Sequence, residues 1–149
     1  VYEEALLLSW QSAQGNALPR KSEKILVYTP HPEYTDILSK TAKILSDIGY
    51  KTITVDTMGV ENAQPLDIQQ LEKEFVSRAI GLVMTTGYKP DKDYAIRRTA
   101  ADLATPLVLN HKLAYELAKA IKYVSQGEVE AKDLKEYWAP MEEITELYS

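Results

Sequence analysis

Four short apolar runs, each followed by an amphipathic stretch of helical length, constrain the fold of this chain more than any other feature. The runs predict β-strands at 25–28, 52–55, 80–84 and 107–109, and the stretches between and after them predict helices at about 34–48, 67–78, 93–104 and 111–123. Strands that are apolar throughout and alternate with helices are typical of parallel sheets covered on both faces. Because such connections are right-handed, we predict an α/β fold with a doubly wound parallel sheet of about four strands.

Both ends of the chain predict additional helices outside this repeating pattern. Residues 1–14 have apolar positions near helical spacing, and a polar, basic link at 20–24 follows. The tail at 125–149 is acidic and predicts short helical segments at 134–138 and 141–148. We therefore divide the chain into a linker helix at 1–21, a central domain at 22–124 and a helical tail at 125–149.

The composition excludes several classes of function. A net charge of -5 with only 17 Lys and Arg argues against a nucleic-acid partner, which requires a concentrated basic face. The absence of Cys and the presence of only two His make a metal site improbable. No apolar run approaches the roughly 20 residues that span a bilayer, and 1–14 lacks the basic start of a signal peptide. We expect a soluble piece of a longer cytoplasmic protein, with no membrane contact.

Polar residues follow each predicted strand, where ligands bind in open parallel sheets. Hydroxyl groups, amides and a glycine suit an anion held by backbone N–H groups at helix N-termini. The candidate ligand-binding residues in these loops are Thr29, His31, Thr57, Thr85, Thr86, Gly87 and Asn110. No G-x-G-x-x-G, phosphate-loop or G-x-S-x-G motif is present, so we predict no catalytic residues.

The adjacent Arg97 and Arg98 fall near the predicted start of the third helix, where the helix dipole disfavours cations by a few tenths to about 1 kcal/mol. Asp93 and Asp102 lie four residues before Arg97 and four residues after Arg98, and such pairs return roughly 0.2–0.5 kcal/mol. Two interpretations remain open. Either the carboxylates neutralise both arginines, or at least one arginine, with Arg97 as the candidate, reaches an anion at the strand ends.

Three stretches of the second half carry a family resemblance. TTG at 85–87, IRRTA at 96–100 and TPLVLN at 105–110 together resemble the methylglyoxal-synthase-like domain that closes the large subunit of carbamoyl-phosphate synthase. The N-terminal 4–19 resembles the linker helix that follows the ATP-grasp synthetase domain, and 127–137 resembles the closing stretch of such subunits.

The resemblance implies a regulatory role. Such domains receive allosteric effectors, for example a pyrimidine nucleotide, ornithine or N-acetylglutamate, and pass the signal to the ATP-using half of the enzyme. The parent enzyme makes carbamoyl phosphate from bicarbonate, glutamine-derived ammonia and ATP, for arginine or pyrimidine synthesis, in the cytoplasm or in mitochondria. The implied partners are the ATP-grasp domain of the same chain and a glutaminase subunit or domain. ATP and Mg²⁺ or Mn²⁺ belong to the parent enzyme, and no cofactor is expected in this segment.

The departures from the family suggest a degenerate effector site. The second-strand loop has Asp56 where the family has a phosphate-holding Thr-x-Gly-Thr, and the Lys expected after the first strand is absent. Only VENAQPL, at 60–66, stands where the family has a further helix and strand, which predicts a sheet reduced to four strands. The alternatives are a purely structural domain that mediates homo-oligomerisation, or a stand-alone methylglyoxal-synthase-like enzyme, although the catalytic Asp and Gly-Gly-Asp pattern of that enzyme is missing.

Overall fold

The computed structural model describes Leu6 and residues 19–86 and 90–125, with backbone alone at 90–94. Gly87 and both predicted tail helices lie outside these residues, as does the predicted N-terminal helix apart from Leu6. The division of the chain at 21 and at 125 stays a prediction.

Five parallel strands form one sheet in the order β3-β2-β1-β4-β5. The strands are β1 Lys24–Val27, β2 Lys51–Val55, β3 Gln64–Leu66, β4 Ile80–Met84 and β5 Leu107–Val108. The helices are α1 Thr35–Asp47, α2 Ile68–Val76, α3 Pro90–Asp102 and α4 His111–Ser125, with a 3₁₀ turn at Pro32–Tyr34. The predicted doubly wound α/β fold is confirmed.

The sheet contains one strand more than the four expected, so the expected reduction to four strands is wrong. The additional strand, β3, lies within the VENAQPL stretch and pairs with β2 at the edge of the sheet. It includes Pro65, which lacks an N–H group and is tolerated at a sheet edge. The backbone N–H of Asp56 donates to Leu66 O at 2.9 Å and extends this pairing beyond β2.

Side chains alternate across the sheet and build a core on each face. On β1, Ile25 and Val27 face α1 and α4, whereas Leu26 and Tyr28, the residue after the strand, face α2 and α3. Both faces of the central strands are therefore covered by helices, which is why these strands are apolar throughout. Leu6 is buried in the core on the side of α1 and α4.

The strand order reverses between β1 and β4. The next two strands along the chain, β2 and β3, lie on one side of β1, and the last two, β4 and β5, lie on its other side. The carboxyl ends of β1 and β4 are consequently neighbours, and the loops that follow them lead in opposite directions. We call this place, where the strand order reverses, the switch point, and ligands bind at such points in sheets of this kind.

Candidate functional site

Two buried threonines meet at the switch point. Thr29 follows β1, Thr86 follows β4, and their Oγ1 atoms lie 2.7 Å apart. The Thr29 hydroxyl also accepts a hydrogen bond from the backbone N–H of His31 at 3.0 Å and lies 3.2 Å from His31 O, to which it can donate. The contact joins the two loops that diverge at the reversal of strand order.

Thr85, which precedes Thr86 in the sequence, has a separate buried hydroxyl that makes no hydrogen bond to this pair. Its backbone N–H donates to Val108 O at 2.8 Å, which extends the pairing of β4 with β5 by one residue. Its Oγ1 is fully buried and has no hydrogen-bond partner among the described residues. A buried polar group left without a partner costs about 1–3 kcal/mol, so the switch point holds hydrogen-bonding capacity that these residues do not use.

Three aromatic rings lie beside the threonines. Tyr34 stacks on His111 with ring centroids 4.1 Å apart and an interplanar angle of 19°, and His31 meets Tyr34 edge-on at 6.1 Å. The stack connects the 3₁₀ turn after β1 to the first residue of α4. Burial, aided by the positive charge of Lys112, lowers the pKa of His111 below its usual 6.5, which favours the neutral imidazole.

The N-termini of α1 and α4 differ in their capping. Asn110 caps α4, because its Oδ1 accepts from the N–H groups of Lys112 at 2.9 Å and Leu113 at 3.0 Å. The residue preceding α1, Tyr34, makes no side-chain capping bond. The 3₁₀ turn at Pro32–Tyr34 leads directly into α1, and the backbone N–H of Thr35 donates to Pro32 O, so this group is already satisfied. The exposed Asp36 in the first turn of α1 adds a negative charge that disfavours an anion there.

The structure brings together some of the predicted site residues but not all of them. Thr29, His31 and Thr86 converge at the switch point, whereas the neighbouring Thr85 makes no side-chain hydrogen bond to them. Asn110 follows β5, one strand away, and its side-chain oxygen is occupied by the cap. The others are Thr57, which is exposed in the turn after β2, and Gly87, which lies outside the described residues. Tyr34 was not predicted, and neither was the position of His111 in the cluster, because their contact joins distant parts of the chain.

Arg97 and Arg98 do not lie in the first helical turn. Because α3 begins at Pro90, they are its eighth and ninth residues, and the expected dipole penalty, which is confined to the end turns, is wrong. Seven residues of helix place the Arg97 backbone about 10 Å along the axis from the start of α3, away from the strand ends. Arg97 is half-buried and already has an interaction within the protein.

The expected partner of Arg98 is present. Its Nε lies 4.0 Å from Asp102 Oδ2, and both side chains are exposed. An exposed pair of this kind contributes between zero and about 1 kcal/mol. The Asp93 side chain, the expected partner of Arg97, lies outside the described side chains.

Two other classes of site can be assessed within the described part of the chain. No group of three or more His, Asp or Glu side chains there could hold a metal ion. No helix there is long and apolar enough to cross a membrane.

The chain is similar to one segment of several much longer proteins. It is 43% identical over 137 residues to the carbamoyl phosphate synthase large chain of Hyperthermus butylicus, covering 92% of this chain and 13% of that one. The corresponding protein of Pyrococcus furiosus is 45% identical over 152 residues, covering 99% and 14%. That of Pyrobaculum aerophilum is 43% identical over 131 residues, covering 87% and 12%. No protein-family model matches the chain.

Proposed function

We propose that this chain, which corresponds to a segment of carbamoyl phosphate synthase large chains, is the methylglyoxal-synthase-like regulatory domain of such an enzyme. The identity of 43% and 45% to two relatives over most of the chain supports the parent enzyme. The parallel sheet with helices on both faces is consistent with the proposed domain type.

The proposed effector site is the switch point between β1 and β4. The observation that carries this proposal is the contact between the buried hydroxyls of Thr29 and Thr86 where β1 and β4 end, with the hydroxyl of Thr85, which has no partner among the described residues, one residue away along the chain. A small anion that displaces the contact between Thr29 and Thr86 would find neutral hydroxyl donors there. Among the described residues, the hydrogen bonds of these threonines involve no Lys or Arg, so we propose that phosphate binding is weak.

The remaining features belong to the proposed parent enzyme. It is an ATP-dependent ligase that uses ATP with Mg²⁺ or Mn²⁺ and receives ammonia from a glutaminase subunit or domain, in the cytoplasm or in mitochondria. Within it, this segment contributes no catalytic residue. It contacts the ATP-grasp domain of the same chain and transmits effector binding to that domain.

Calorimetric titration of the 149-residue chain tests the effector site. UMP, IMP, ornithine, arginine and N-acetylglutamate are titrated in turn, and we expect at least one of them to bind. Thr86→Val removes a hydroxyl at the switch point and is expected to weaken that binding about tenfold, since hydrogen bonds to charged groups contribute about 1.5–3 kcal/mol.

Thr54→Val is the matched control, because Thr54 is another buried threonine on β2 whose hydroxyl has no partner among the described residues. If none of the five compounds binds, or if Thr54→Val and Thr86→Val weaken binding equally, the proposed site is wrong.

Self-association is a second candidate function, and exposed apolar side chains on α2 favour it. Ile68 is 51% exposed and Val76 is 79% exposed, at opposite ends of this helix. Light scattering over a range of concentrations tests this function. A dimer that Val76→Glu dissociates and that Thr57→Glu, at an exposed position outside α2, leaves intact would support it, whereas a monomer at every concentration would contradict it.

A further inference from the structure

A cleft opens at the amino edge of the sheet, opposite the switch point. It has a volume of about 170 Å³ and lies between the end of α2, the start of β4 and the loop before β5. Its apolar walls come from Phe75, Ile80, Leu103 and Pro106. The volume equals that of about six waters and lies below the roughly 300 Å³ typical of pockets for drug-sized ligands, so the cleft suits a small metabolite.

Two helices end at this cleft. Arg78 follows α2 and Ala104 follows α3, and both residues line the cleft with left-handed backbone, at φ 58° and 55°. Backbone bonds from Ala79 N to Glu74 O and from Thr105 N to Ala100 O close the two helix ends. The C-terminal ends of α2 and α3 therefore give the cleft a partial negative charge, which favours a cation.

Side chains of opposite sign line the same cleft without pairing with each other. The half-buried Glu23 carboxylate accepts a hydrogen bond from Arg20 N at 2.8 Å through Oε1, and no described residue donates to Oε2. The Arg78 guanidinium is exposed and makes no ion pair or hydrogen bond with a described side chain or carbonyl. Glu23 adds to the negative potential of the helix ends, while Arg78 offers donors for a carboxylate.

We propose that the amino-edge cleft binds a small zwitterion, an amino acid with an apolar side chain. Its ammonium group lies against Glu23 and the helix ends, its carboxylate binds Arg78, and its side chain packs on Phe75 and Leu103. The cleft lies at the opposite edge of the sheet from the switch point, so this inference does not rest on the proposed effector site.

Calorimetric titration of the 149-residue chain with three related probes tests the assignment. L-leucine carries both charges, 3-methylbutylamine lacks the carboxylate, and 4-methylpentanoate lacks the ammonium group. We expect L-leucine to bind more tightly than either analogue. Glu23→Gln is expected to weaken L-leucine binding about tenfold, and Arg78→Gln to do the same while leaving amine binding unchanged.

Two control variants separate the cleft from the rest of the molecule. Lys73→Gln changes an exposed charge on α2 outside the cleft, and Thr54→Val changes a buried hydroxyl on β2, so neither should alter L-leucine binding. Circular dichroism verifies that each variant is folded. The proposal is overturned if L-leucine does not bind in the millimolar range, if the amine binds equally well, or if folded Glu23→Gln and Arg78→Gln variants bind L-leucine as the parent does.

Discussion

Replacing Thr29 with Val should destabilise the domain more than replacing Thr86, although the two hydroxyls form the same contact. Thr29 has one hydroxyl hydrogen and three neighbours, His31 N, His31 O and Thr86 Oγ1. All of these groups are satisfied if Thr29 accepts from His31 N and from Thr86 and donates to His31 O. Thr29 is then the centre of the network, and Thr86 is a peripheral donor.

The magnitudes follow from what each substitution leaves without a partner. Thr86→Val removes one hydrogen bond while Thr29 keeps both contacts to His31, which costs about 1 kcal/mol. Thr29→Val leaves the His31 N–H and the buried Thr86 hydroxyl unpaired, which costs about 3 kcal/mol. The double variant removes the stranded Thr86 hydroxyl as well, so its loss should be no greater than that of Thr29→Val alone.

Equilibrium unfolding in urea, followed by circular dichroism, measures these free energies of unfolding. Thr54→Val is the matched control, because the Thr54 hydroxyl is buried without a partner among the described residues and its loss should be neutral or stabilising. The reasoning is refuted if Thr86→Val costs as much as Thr29→Val, or if Thr54→Val costs as much as either of them.

Substitutions at three further positions, Asn110, Gly81 and His111, test the residues near the two edges of the sheet. Asn110→Ala should lower the free energy of unfolding in urea by about 1 kcal/mol through loss of the α4 cap, and Asn110→Asp should retain most of it. Gly81→Ala should cost about 1–3 kcal/mol in the same assay, because its Cβ would lie 2.9 Å from Glu23 Cδ, and adding Glu23→Ala should recover part of the loss. His111 has a lowered pKa in the folded state, so the unfolded state binds more protons and the free energy of unfolding should fall as pH drops below about 6.5. His111→Gln should therefore reduce the slope of the free energy of unfolding against pH. His31→Gln is the control, and this variant should keep a steeper slope than His111→Gln. Equal slopes for the two variants would contradict the assignment to His111.

The repeating strands and helices were predictable because their signals are local. The runs at 25–28, 52–55 and 80–84 agree with β1, β2 and β4 within about one residue, since buried parallel strands are continuous apolar segments. β3 was missed because it has three residues and one is Pro65, so nothing in its own composition predicts a strand. Its strand conformation comes from pairing with β2, which is a contact between distant residues.

The start of α3 shows how an error of three residues changes a functional argument. Pro90 is favoured at the first position of a helix, yet the polar sequence around it is equally typical of a loop. Placing the start at 93 put Arg97 near the helix dipole and the strand ends. The start at Pro90 moves Arg97 to the middle of the helix, so the threonines, rather than the arginine, carry the candidate site.

The approach of Thr29 to Thr86 was predictable from topology, whereas the aromatic cluster was not. Both threonines follow strands that are neighbours in a doubly wound sheet, so the rule for switch points places them together. The stack of Tyr34 on His111 depends on how a 3₁₀ turn and the first residue of α4 are oriented, and no sequence pattern records this orientation.

The two proposed sites follow from one property of the architecture. Each connecting helix runs antiparallel to the strands, so helices begin at the carboxyl edge and end at the amino edge. Helix N-termini therefore lie at the edge that contains Thr29 and Thr86, while helix C-termini lie at the edge that contains Glu23. Such a polarised sheet favours anionic groups at the carboxyl edge and ammonium groups at the amino edge, where Arg78 supplies the positive charge that the proposed carboxylate requires.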